Sequence, residues 1–61
     1  MKLWDLLRMI RGFFTVIDQL EKKLFNSLDP DYIEKVYLYG NYDVLSITHE
    51  VDGNIIKIEK W

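Results

Sequence analysis

Apolar residues recur at helical spacing from Leu3 to Leu24 and switch to alternation in the second half of the chain. With heptads written from Leu3, the a positions are Leu3, Ile10, Ile17 and Leu24, and the d positions are Leu6, Phe13, Leu20 and Ser27. This period predicts one long helix over residues 3–28, a stretch that no proline interrupts. Its first half is more apolar than one seam requires. Leu7, Met9, Phe14 and Val16 widen the stripe, and Trp4 lies beyond it. Gly12 falls among the polar positions, where a glycine inside a helix costs about 1 kcal/mol relative to alanine. Asp29-Pro30 then disfavours helix at Asp29 but also suits a helix start, so residues 29–35 read as a turn or a short helix.

The alternating half predicts strands at Val36–Tyr39, Tyr42–Val51 and Asn54–Trp61, joined by tight turns at Gly40-Asn41 and Asp52-Gly53. Asp-Gly is a strong hairpin signal because a type I′ turn needs positive φ at both central residues. A two-residue loop there sets Val51 against Asn54, Glu50 against Ile55 and Ile47 against Ile58. Alternate side chains point to opposite faces. One face then holds Val36, Leu38, Leu45, Ile47, His49, Val51, Ile56 and Ile58. The other holds Ser46, Thr48, Glu50, Lys57 and Glu59, with an aromatic row of Tyr37, Tyr39, Tyr42 and Trp61 around Val44. The expected fold is a single α+β domain over residues 1–61: one long N-terminal helix packed on a three-stranded antiparallel β-meander.

A three-stranded sheet is only about 15 Å wide at ~4.8 Å per strand. It cannot cover a stripe as broad as that of residues 4–16. The surplus, Trp4, Leu7, Met9, Phe14 and Val16, is therefore assigned to self-association, with a homodimer expected. A membrane-surface helix is the competing reading, favoured by Lys2, Arg8 and Arg11 beside Trp4 and Phe13. It is disfavoured by the second half of the period, which has no membrane character.

Size and composition narrow the picture. The chain has 61 residues, 49% of them hydrophobic, and no cysteine. A domain this small is marginal alone and relies on tight packing or a partner when disulfides and metals are lacking. Residues 29–61 hold seven acids against Lys35, Lys57 and Lys60. That balance disfavours a nucleic-acid surface, including base stacking on the aromatic row, which needs flanking cations. The N-terminus does not read as a signal peptide and no run of 18 apolar residues occurs. A cytoplasmic protein is expected.

Candidate chemistry is sparse. His49 is the only histidine, and its neighbours Thr48 and Ser46 cannot form a dyad with it from the opposite face of a strand. A half-buried structural role is expected for it. The Asp29/Asp31 pair and the Asp52–Asn54 turn lack the ligand spacing of a calcium loop. No catalytic residue, metal site, cofactor or small-molecule substrate is expected. Tyr37, Tyr39, Tyr42, Val44 and Trp61 form the candidate binding face, since tyrosine and tryptophan are enriched in interface hot spots. The reading is a non-catalytic protein-binding module. It would act as an inhibitor or modulator of a larger protein, in the style of small viral or mobile-element proteins, an analogy that rests on no motif. A structural or regulatory homo-oligomer with no foreign partner is the alternative.

Overall fold

The computed structural model describes residues 1–60 and replaces the expected helix and meander with six short elements. In chain order these are α1 (Leu3–Leu7), β1 (Phe14–Ile17), β2 (Lys23–Asn26), α2 (Tyr32–Tyr39), β3 (Val44–Glu50) and β4 (Gly53–Ile58). Among the described residues the strands form one mixed sheet of order β2-β1-β4-β3. Two antiparallel hairpins, β1β2 and β3β4, lie side by side, and their inner strands β1 and β4 run parallel. The helices pack on one face. The core joins Leu3 and Leu6 of α1 to Phe14, Val16, Phe25, Ile56 and Ile58 of the sheet.

The predicted helix over 3–28 fails for local reasons. Gly12 adopts φ +87°, a left-handed conformation that reverses the chain between α1 and β1. The residues that follow, Phe13 to Ile17, are aromatic or β-branched and suit a half-buried pleated surface. Beyond β1 the side chain of Asp18 takes over. Its Oδ1 accepts the backbone N–H groups of Leu20 and Lys22, each at 2.9 Å. Asp18 is 5% exposed, and Glu21 completes the reversal at φ +64°. An Asx-type turn of this kind competes directly with helix.

The predicted strand at Val36–Tyr39 is the second half of α2. Asp29-Pro30-Asp31 does start a helix, but it continues through Tyr39 instead of ending as a single turn. The β3β4 hairpin forms as expected with a register two positions away: Glu50 pairs with Gly53, His49 with Asn54 and Ile47 with Ile56. Val51 and Asp52 therefore occupy the turn. A shift of two keeps the side chains from Ser46 to Glu50 on their predicted faces, as a shift of one would not. An irregularity between Val44 and Ser46, however, turns Val44 from the predicted outer face to the core, opposite Ile58. Gly53 opens β4 at φ +134°, and a Cβ there would lie 2.6 Å from the Phe13 carbonyl oxygen. Glycine is thus required where the two hairpins meet.

The N-terminal residues tie the helical layer to the sheet. Val44 N–H donates to the Met1 carbonyl at 2.8 Å, Leu3 N–H to the Tyr42 carbonyl and Trp4 N–H to the Gly40 carbonyl, both at 2.9 Å. Lys2 Nζ and Asp43 Oδ1 form an exposed ion pair at 3.1 Å. No helix among the described residues is long and apolar enough to cross a membrane.

Candidate functional site

α1 and α2 lie against each other and leave an open groove of about 290 Å³ between them, lined by three aromatic rings from the helices and by Phe14. Trp4, Leu7 and Arg8 line it from the α1 side, and Tyr32, Ile33, Val36 and Tyr37 from the α2 side. The α2 residues fall at i, i+1, i+4 and i+5, the spacing that puts them on one helical face. Tyr32, Ile33 and Tyr37 are exposed, while Val36 at the inner side of this face packs half-buried against the core. Tyr37 is 71% exposed and Ile33 59%.

The groove is held open by packing at its floor. The Trp4 and Tyr37 rings are 5.2 Å apart. Gly40 allows Trp4 to approach: a Cβ at that position would stand 3.0 Å from the indole and 2.6 Å from the Val36 carbonyl oxygen. Phe14 closes the bottom from the sheet. At the rim the Arg8 guanidinium sits 6.0 Å from the Trp4 ring centre, within range of a cation–π contact. Arg8 takes part in neither the Lys2–Asp43 nor the Lys57–Glu21 ion pair, and its charge has no carboxylate partner among the described residues.

The predicted aromatic row does not form. In a helix, residues two apart point about 200° away from each other, so Tyr37 and Tyr39 leave α2 in opposite directions. Tyr39 turns inward and stacks on Phe25 at 5.9 Å with 11° between the rings. Tyr42 follows it, 6.2 Å from Tyr39, and Val44 packs half-buried against the core. Tyr37 alone faces the groove. Trp61 lies outside the described residues.

The predicted self-association set divides as well. Phe14 and Val16 belong to β1 and are 8% and 0% exposed, which makes them core residues. Met9 is exposed, and Trp4 and Leu7 line the groove. Tyr32, Ile33 and Val36 were missed because a strand reading of 36–39 hid the helical spacing that unites them with Tyr37.

The remaining chemistry is structural. His49 is exposed, not half-buried, and pairs across the hairpin with Asn54, its Nδ1 donating to Oδ1 at 2.5 Å. The Asn54 amide in turn donates to the Phe13 carbonyl at 3.4 Å. No group of three or more His, Cys, Asp or Glu side chains that could hold a metal ion occurs among the described residues. No family model matches the chain, and no curated protein or solved structure matches it.

Proposed function

We propose that this chain is a cytoplasmic, non-catalytic protein-binding module that acts as an inhibitor or modulator of a larger protein, and that its binding site is the α1/α2 groove. The observation that carries the reading is the outward face of α2 opposite Trp4. Tyr32, Ile33 and Tyr37 supply exposed apolar area above a half-buried Val36, and such anchors dominate interface energetics. The groove is bounded by two helices, which suits the docking of an amphipathic helix on its apolar face. Arg8 adds one unpaired cation at the rim, where a carboxylate of the partner would stand. The occupant is therefore an apolar helical segment carrying an acidic residue near its anchors.

Site-specific photocrosslinking tests this. A photoreactive residue placed at Ile33 in the groove is compared with one at Leu20, an exposed apolar residue at the opposite end of β1. A foreign protein captured from the native cell at residue 33 and not at residue 20, and lost in an Arg8→Glu/Tyr37→Ala background, is the expected result. Equal capture at both positions, or capture of this chain alone, refutes the groove as a site for another protein.

A further inference from the structure

We infer that β3 is a self-pairing edge, and that two copies of this chain join there in antiparallel fashion to make one continuous eight-stranded sheet. The inference is independent of the groove.

The two outer strands of the sheet are built differently. β2 is four residues long, begins with Lys23 just after Lys22, and its pairing with β1 has a register irregularity. Short length, lysine and irregularity are the devices that keep an edge from pairing with another chain. β3 has none of these along most of its length. It runs for seven residues, Val44–Glu50, with no lysine, arginine or proline, and its one irregularity lies at the Val44 end. That end is already closed, since the Met1 carbonyl takes the Val44 N–H. From Leu45 onward no strand among the described residues lies alongside, because β3 is last in the sheet order.

The side chains agree with the backbone. Leu45 and Ile47 are 46% and 38% exposed although Ile56, the cross-strand partner of Ile47, is fully buried. The core beneath the helices draws on Phe14, Val16, Phe25, Ile56 and Ile58, and of β3 only Val44 packs against it.

A second copy is the occupant that the charge pattern selects. An antiparallel two-fold axis through Thr48 centres on residues 46–50 of the free segment. It sets Thr48 against Thr48, Ile47 against His49 and Ser46 against Glu50, while Leu45 meets the turn of the partner copy. No carboxylate meets a carboxylate, and each Ser46 hydroxyl can donate to the partner copy's Glu50. On the helix-bearing face Leu45, Ile47 and His49 of the two copies then lie side by side, and each Ile47 meets the partner copy's His49 as a cross-strand pair of the kind that stabilises sheets. The contact spans only about 20 Å of strand. It is small for a protein interface, so association in the micromolar range or weaker is expected.

Sedimentation equilibrium from about 1 µM to about 1 mM tests the edge on wild type, Thr48→Lys and Thr48→Val. Thr48 is exposed, so both substitutions leave the core untouched. Lysine places like charges on the two-fold axis, whereas valine keeps a β-branched, uncharged residue there. The expected result is a wild-type dimer, retained by T48V and weakened at least about tenfold by T48K, with the circular dichroism of all three alike. A wild-type monomer throughout the range overturns the inference, and so does an undiminished T48K dimer. Should T48K not fold, amide exchange of the wild type decides: protection within residues 45–50 that rises with concentration supports the edge, and protection independent of concentration refutes it. Tyr37→Ala should leave the dimer intact, which separates this edge from the groove.

Discussion

At Asp18 a single side chain decides whether the chain continues or reverses. Its carboxylate is almost wholly enclosed and holds two backbone N–H groups at 2.9 Å. Hydrogen bonds to a charged acceptor contribute about 1.5–3 kcal/mol each, and a buried donor left without one costs a similar amount. Asp18→Ala should therefore destabilise the fold by about 2–3 kcal/mol after partial relaxation, measured by urea denaturation. Asp18→Asn keeps the Oδ1 acceptor and should cost about half as much. Both changes would be nearly neutral on the polar side of a continuous helix, so the pair also discriminates between the two folds. None of this is legible at residue resolution. An aspartate followed by Gln, Leu, Glu and two lysines reads equally as a solvated helical face, and only its burial distinguishes the two cases.

Elements were legible in proportion to how much of their pattern was local. The β3β4 hairpin combines alternation, β-branched residues and an Asp-Gly pair, and it forms with the predicted faces except at Val44, which a register irregularity turns to the core. Its register misses by two because Gly53 serves as the first residue of β4, pressed against Phe13, and not as the second residue of the turn. The long helix was an accident of arithmetic. Leu3 and Leu6 belong to a true helix, whereas Ile17 and Leu24 belong to two strands, and their spacing merely sustains the same period. α2 was misread in the opposite sense, since Tyr, Ile and Val favour strands on average and tertiary packing overrode that preference. A double comparison tests its face assignment. Tyr39→Ala removes the ring stacked on Phe25 and should cost about 2–3 kcal/mol. Tyr37→Ala removes an exposed ring that touches Trp4 and should cost under about 1 kcal/mol, as read from thermal melts. Equal costs would place both tyrosines on one face, as a strand requires. The candidate site followed the same logic: Trp4 and Leu7 were visible as surplus apolar residues and Tyr37 as one of an aromatic row, but that they share a surface depended on α2 being a helix.

On the scale of the whole molecule, the inaccessible step was the pairing of β1 with β4. Phe14 lies beside Asn54 and Val16 beside Ile56 in parallel register, partners drawn from opposite ends of the chain. No turn specifies such a pair, and the hydrophobic pattern of either strand is satisfied by many neighbours. That same pair governs how the protein bears load. Tension between the Met1 side and the Ile58 side first peels the Lys2–Asp43 bridge and α1, and then reaches β1 at its start and β4 at its finish. Parallel strands gripped at opposite ends cannot open one bond at a time. They must slide past each other with the evenly spaced bonds of the parallel ladder strained together. Single-molecule pulling through those two ends should thus meet a higher rupture force than pulling across the β3β4 hairpin from Val44 and Ile58, which opens like a zipper. A small sheet protein with no disulfide would in this way be soft to heat and stiff to stretching.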